Sequence, residues 1–304
     1  MIAKTVGYIG LGTMGAPMLH RLAKDAPGGS VFGYDAKLET TNRVCQATGA
    51  GACRSIAEIA GLCDILFTCL PSNDVVRSVY LGDGGVLSAA RSGTTTIDCS
   101  TIGPEISREI YHKARETAVQ HLDASMLGSV AQAEDGSISF VIGGDKDAVE
   151  FALPALEKVG SLIRHCGGSG TGNQMKLLHQ ALVAGHVVAV AETLALCQEL
   201  GADIDIFYDV VTKGTGFAYS RYFEKRVPRI CQGEYSPLFM LKFMAKDARL
   251  AREMIPVAKR DSSRNLQLLD AAIATLEEGE NRGLGEEDVS AATKVLQARF
   301  AQDA

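Results

Sequence analysis

Residues 8–18, YIGLGTMGAPM, decide the fold. They join an apolar run, TVGYIGL (residues 5–11), to an amphipathic stretch, GAPMLHRLAKD (residues 15–25), through three glycines spaced Gly10-x-Gly12-x-x-Gly15. With 32 glycines in the chain, the spacing alone carries little weight. Between a strand and a helix it has a mechanical reading. Gly10 permits the tight turn, Gly12 lets the backbone approach a pyrophosphate, and Gly15 lets the helix pack on the strand. The pyrophosphate then sits against the unpaired N–H groups of the helix N-terminus. Gly10, Leu11, Gly12, Thr13, Met14 and Gly15 are therefore the expected dinucleotide cradle. Asp35 ends the next β-rich run, VFGYD, about twenty residues after the last glycine, where a carboxylate accepts ribose hydroxyls and repels a 2′-phosphate. The expected cofactor is NAD.

The same rhythm continues outward. Short apolar runs at ILFTCL (65–70), TTIDCS (95–100), QHLDAS (120–125) and SISFVIGG (137–144) alternate with helical stretches such as ETTNRVCQATG (39–49). Alternation of this kind predicts an α/β domain with a parallel sheet, and strands apolar throughout predict a sheet covered on both faces. After the glycine-rich join at residues 167–172 the period becomes helical. Helices are expected at 169–201, 203–214, 220–227, 236–255, 264–279 and 287–301. The expected division is a Rossmann-type domain over 1–167 and an all-helical substrate and oligomerisation domain over 168–304.

Composition narrows the function. A chain of 304 residues accommodates two domains, and a net charge of −6 without a basic run argues against nucleic acid or an anionic membrane as partner. The eight cysteines form no CxxC pair and several lie in apolar runs, so reduced, buried thiols and no metal site are expected. The chain opens directly on a strand pattern rather than a secretory signal, and the longest apolar run carries Glu192 and two histidines. A cytoplasmic protein whose longest helix is buried within the fold is expected.

That helix, SGTGNQMKLLHQALVAGHVVAVAETLALCQELG (residues 169–201), is apolar on almost every face yet contains Lys176, His179, Gln180 and His186. Burial lowers a lysine's pKa toward the range of a general base. Oxidation of an alcohol by hydride transfer needs such a base for the hydroxyl proton. His179 and Gln180 follow at i+3 and i+4, so the three share a helix face. A snorkelling lysine and a hydrogen-bonded core histidine are the structural alternatives.

Together these motifs resemble the β-hydroxyacid dehydrogenase family, which includes 3-hydroxyisobutyrate dehydrogenase, tartronate semialdehyde reductase and 6-phosphogluconate dehydrogenase. IGLGTMGAPM is similar to the family's opening signature, and CLPSNDVV to its Leu-Pro loop beside the adenosine half of the cofactor. IDCSTIGPE, GTGNQMK and FMLKFMAKDARLA resemble its Asp-x-Ser-Thr, Gly-x-Gly-x-x-x-Lys and Lys-Asp segments. The resemblance covers essentially the full chain. It implies that Leu70, Pro71, Val75, Ser100, Thr101 and Lys246 lie along the cofactor. It also implies that Lys176 is catalytic, assisted by Gln180 and His179. Where the family usually has Asn, this chain has Gln180, and its KxxHQ version resembles the L-threonate dehydrogenase branch. The family's substrate loop, Asp-Ala-Pro-Val-Ser-Gly-Gly, is here Asp123-Ala124-Ser125-Met126-Leu127-Gly128-Ser129. Leu127 replaces the serine that grips the substrate carboxylate, leaving Ser125, Gly128, Ser129 and Gln180 as candidate donors.

The expected activity is NAD-dependent oxidation of a small hydroxy acid, with a sugar acid such as L-threonate favoured. A 3-hydroxyisobutyrate or tartronate semialdehyde type enzyme is the nearest alternative. A non-catalytic NAD-binding sensor or scaffold is the alternative of another class, disfavoured by the presence of Lys176. An imine reductase, a related fold lacking that lysine, is disfavoured on the same ground. The apolar perimeter of the long helix predicts a homodimer or homotetramer.

Overall fold

The computed structural model describes residues 4–24, 26–255 and 265–300; the outermost residues of three expected helices, Asp25, Arg264 and Ala301, lie outside these. The chain divides into two compact units, Met1–Lys176 and Leu177–Ala304.

The first unit is built on one eight-stranded sheet of order β3-β2-β1-β4-β5-β6-β7-β8. Its strands are β1 (Val6–Ile9), β2 (Val31–Tyr34), β3 (Gly51–Ala52), β4 (Ile65–Thr68), β5 (Thr95–Asp98), β6 (Gln120–Leu127), β7 (Ile138–Gly143) and β8 (Gly160–Gly167). Its helices are α1 (Gly15–Ala23), α2 (Leu38–Thr48), α3 (Ile56–Leu62), α4 (Asn73–Leu81), α5 (Val86–Ala89), α6 (Pro104–Glu116), α7 (Val130–Asp135) and α8 (Lys146–Val159).

Strands β1, β4 and β5 are buried at every residue. Alternate side chains feed two cores. Tyr8 and Phe67 join Met18 and Leu22 on one face, while Ile9 and Leu66 join Ile59 and Tyr80 on the other. All pairings are parallel except β6 with β7, which run antiparallel from Asp123↔Gly143 to Leu127↔Ser139. Two strands have no counterpart in the sequence reading: β3 is a pair of residues, and β8 is largely exposed and carries no apolar period.

The second unit is helical, as expected. Helix α9 (Thr171–Glu199) begins in the first unit and continues into the second, followed by α10 (Ile204–Lys213), α11 (Arg221–Cys231), α12 (Leu241–Glu253), α13 (Gln267–Asn281) and α14 (Ala292–Phe300). Asp203 and Ser220 cap α10 and α11 by accepting backbone N–H bonds. Leu177, Val187 and Val188 of α9 pack with Met244, Ala248, Leu269, Leu276 and Ala292. The expectation that α9 is buried holds for one side of it. Leu178, Leu182, Leu196 and Leu200 of the same stretch are exposed. Helix α9 is long and apolar enough to cross a membrane by length and composition alone, and 56% of its apolar window is buried in the protein. None of the eight cysteines forms a disulfide with another among the described residues; five are buried, Cys69 and Cys166 are half-buried, and Cys231 is exposed.

Candidate active site

The sequence-predicted residues of the first unit lie at the carboxyl ends of β1, β2, β4, β5 and β6, where ligands bind in open α/β sheets. The three glycines of the β1–α1 turn have different reasons to be glycine. Gly10 has φ +93°, and a Cβ there would lie 2.3 Å from the Cys69 carbonyl oxygen. A Cβ on Gly15 would lie 1.9 Å from the Gly10 carbonyl oxygen. Gly12 is exposed, and a Cβ there would meet no atom of the described residues within 4 Å. The protein itself makes no demand on Gly12, so the open space beside it fits a group from outside. Helix α1 also lacks a side-chain cap and an acidic residue in its first turn, leaving its N–H end suited to an anion. Thr13 is exposed and Met14 half-buried beside it, whereas the Leu11 side chain is buried in the core.

Asp35 stands just past β2. Its carboxylate accepts the Leu11 N–H at 2.9 Å and the Lys37 N–H at 2.9 Å, which locks it against the glycine turn. Each oxygen keeps a lone pair for a ribose hydroxyl.

A buried polar chain joins the next two loops. Tyr80 donates to the Thr68 hydroxyl, which donates to Asp98, and Asp98 also accepts the Ser100 hydroxyl at 2.6 Å. Ser100 Oγ in turn accepts the Leu70 N–H at 2.8 Å, and Asn73 Oδ1 accepts the Gly103 N–H. The hydroxyl of Ser100, expected beside the nicotinamide ribose, is thus spent holding the Leu70–Pro71 loop to its own. Thr101 is half-buried, Pro71 is exposed, and Val75 is 36% exposed near the start of α4.

The segment expected as a substrate loop is mostly strand: β6 runs through Leu127, pairing with β5 and β7. Ser125 is fully buried, and its Oγ accepts a bond from Asn173 Nδ2. Ser129 caps α7, its N–H and hydroxyl both donating to Gln132 Oε1. Leu127 is half-buried. Gly128 is exposed with φ +152°, where an added Cβ would crowd Ile138.

The first turn of α9 docks on this strand. The Asp123 carboxylate accepts the Gly170 N–H at 2.7 Å and the Asn173 N–H at 2.9 Å, capping the helix from across the fold. Burial pushes the Asp123 carboxyl up to about 6, and those two bonds pull against the rise. Gly170 has φ +85°, and a Cβ on Gly172 would lie 2.5 Å from the Asp123 carbonyl oxygen. The Gly-x-Gly spacing therefore brings helix backbone onto strand backbone, with half-buried Lys176 one turn further on.

In the second unit, Gln180 is buried, donates to Asp247 Oδ2 at 2.7 Å and accepts from His179 Nδ1 at 3.1 Å. His179 is exposed. Lys246 pairs with Asp247 at 3.2 Å on α12. His186, His179 and Arg221 line a separate surface cavity of about 480 Å³. Sequence reasoning passed over two residues as site members. Asn173 lies inside the quoted Gly-x-Gly-x-x-x-Lys motif, and Asp247 beside Lys246; each is a buried polar group, and only burial marks it out.

An open glycine cradle at a helix N-terminus, with a carboxylate fixed beside it at the sheet's carboxyl edge, defines a nicotinamide-dinucleotide-binding α/β protein. Residues 5–168 match the family described as the NAD-binding domain of 6-phosphogluconate dehydrogenase. Residues 170–296 match NAD-binding of NADP-dependent 3-hydroxyisobutyrate dehydrogenase. The chain belongs to the β-hydroxyacid dehydrogenase family and is an NAD-dependent oxidoreductase. It is 32% identical to 2-(hydroxymethyl)glutarate dehydrogenase of Eubacterium barkeri, over 95% of this chain and 94% of that one. It is 30% identical to L-threonate dehydrogenase of Cupriavidus necator, over 97% of both chains. Among solved structures, 3-hydroxyisobutyrate dehydrogenase of Mycobacterium tuberculosis, determined with L-serine, aligns with a TM-score of 0.84 at 29% identity, over 97% of this chain and 99% of that one.

Proposed function

We propose that this enzyme oxidises the hydroxyl of a small hydroxy acid with NAD in preference to NADP, that Lys176 takes the hydroxyl proton, and that a sugar acid of the L-threonate type is the substrate. The observation that carries the reading is the double cap of α9 by Asp123. It fixes the helix turn that leads to Lys176 on the strand whose end presents Leu127 and Gly128. Gly12 and the α1 N-terminus would hold the pyrophosphate, and Asp35 the adenosine ribose. A nicotinamide held there would supply the hydride acceptor. The chain's own part is to align the substrate and remove its proton. The Lys176 amine accepts that proton as the carbonyl forms, and returns one in the reverse direction.

For the acid group, Ser129 has already spent its N–H and hydroxyl on Gln132, which favours the exposed Gly128 backbone as the donor. Leu127 beside it sets the shape of the pocket rather than its polarity. In the second unit, Gln180 is held by Asp247, so its role is to order the helix face one turn beyond Lys176. Relatives named for L-threonate and 2-(hydroxymethyl)glutarate support hydroxy acids as a class. A panel of L-threonate, 3-hydroxyisobutyrate, L-serine and the reduced partner of tartronate semialdehyde, followed by NADH formation, tests the choice among them. L-threonate turning over no faster than the rest removes the sugar-acid reading.

Lys176→Ala is expected to fold and to bind NADH normally while losing roughly 10²–10⁴-fold in turnover. Near-normal turnover in that variant would exclude the lysine. We further place the enzyme in the cytoplasm as a homodimer or homotetramer assembled through its helical unit. Leu178 and Leu182 of α9, Ile206 and Val210 of α10, and Leu268 of α13 are exposed there.

A further inference from the structure

We infer that Asn173 is a positioning residue for the reaction, its buried amide setting where the first turn of α9 stands against the cofactor loop and the substrate strand. The inference rests on the reading of Lys176 as the proton acceptor. Asn173 is fully buried and three residues ahead of Lys176 on the same helix. Its side chain bonds to three separate elements. Oδ1 accepts the hydroxyl of Ser107 on α6. Nδ2 donates to the carbonyl oxygen of Ser100 at 3.2 Å and to Oγ of Ser125, on β6, at 3.1 Å.

The chemistry of these partners fixes the amide's orientation. A carbonyl can only accept, so the nitrogen must face Ser100 and the oxygen must face Ser107. No other side chain of this size offers an acceptor on one edge and two donors on the other. Aspartate keeps the acceptor but sets an oxygen against the Ser100 carbonyl, and leucine keeps only the shape. The backbone N–H of Asn173 meanwhile goes to Asp123, so the residue is tied at both ends.

The partners distinguish positioning from general stability. Ser100 belongs to the loop after β5, which also holds Leu70 through its hydroxyl. Ser125 lies two residues before Leu127 on the strand that leads to Gly128. The amide therefore spans the cofactor loop, the substrate strand and the helix of the base. Without it, the first turn of α9 is left on β6 with the two Asp123 bonds alone and can rotate about them, and Lys176 moves with it. A misplacement of about 1 Å at a reacting group costs roughly 10²-fold in rate.

The test is Asn173→Ala in the full chain, with L-threonate as the first probe and the best hydroxy acid of the panel otherwise. We expect kcat to fall about 10²-fold while the Kd for NADH stays within about threefold, because Asp98 still holds the Ser100 loop. Combined with Lys176→Ala, the substitution should cause no further loss, since it acts through the lysine. A single variant with kcat within about threefold of wild type, or a double variant that multiplies the two losses, overturns the inference. An active Lys176→Ala would instead overturn the reading beneath it, so the two failures are distinguishable. If Asn173→Ala does not fold, Ser125→Ala takes its place, removing one acceptor and leaving the other bonds. Its kcat should then fall about fivefold with NADH affinity unchanged, and an unchanged kcat overturns the inference.

Discussion

Replacing each glycine of the β1–α1 turn by alanine separates what the fold requires from what the cofactor requires. At Gly10 the backbone sits at φ +93°, which costs an L-residue about 1–3 kcal/mol, and the new methyl would also overlap the Cys69 carbonyl. At Gly15 the methyl would fall 1.9 Å from the Gly10 carbonyl, so α1 must lift from β1. Both variants should unfold at markedly lower temperature. Gly12 lies outside the left-handed region and its added methyl meets none of the described residues within 4 Å. Gly12→Ala should therefore keep or slightly raise stability, by about 0.4–1 kcal/mol through the less flexible unfolded chain. The same methyl stands where the proposed cofactor site would bring a pyrophosphate. Overpacking of that kind costs about 1–3 kcal/mol, or roughly 5–150-fold in NADH affinity. Thermal unfolding of the three variants and NADH fluorescence titration of Gly12→Ala decide the matter. Unchanged NADH affinity in Gly12→Ala would refute the assignment of the open space to the cofactor.

Asp35→Ser should weaken NAD binding by about tenfold and raise the relative use of NADP, read from kcat/KM for each cofactor; a wild type that strongly prefers NADP refutes the role given to this carboxylate. Acid sensitivity should track His121, which burial pushes down to about 3 from 6.5. Its Nδ1 faces the Thr96 hydroxyl, which itself donates to the Gln120 carbonyl, so the proton sits on Nδ1 and the buried Nε2 has no hydrogen-bond partner among the described residues. The unfolded chain binds a proton below 6.5 that the folded one refuses, so this contribution is intact above that pH and falls by about 2 kcal/mol by pH 5. Urea unfolding of His121→Leu should show a flatter loss between pH 7.5 and 5 than wild type, and an identical slope would exclude His121. Light scattering at micromolar concentration should give a dimer or tetramer, and a monomer would leave the exposed leucines of α9 without the proposed role.

What could be read from the sequence follows the range of the physics involved. Strands β1 and β4 announce themselves because burial on both faces favours apolar side chains, whereas β5 is just as buried with Thr95, Thr96 and Asp98 in it. The direction of β7 was invisible, since alternation records which face is covered and not which way a neighbour runs. The glycine turn was legible because its demands are local, although only the structure separates the two glycines required by nearby carbonyls from the one facing open space. Lys176 stands out because a charge in an apolar helix is costly where that helix is buried. The serines were harder. The sequence reads Ser125 and Ser129 as candidate donors to the substrate and Ser100 as lying along the cofactor, and all three hydroxyls bond within the protein. A hydroxyl's position in the chain does not say whether its hydrogen bonds are already spent, because Leu70, which donates to Ser100, and Asn173, which donates to Ser125, come from a distant loop and a distant helix. Asn173 is the converse case. An asparagine in the first turn of a helix is an ordinary surface residue until that turn is known to lie against a strand. The proposed base was thus visible from a single charged residue in an apolar helix, while the groups proposed to position it became visible only with the tertiary contacts that satisfy them.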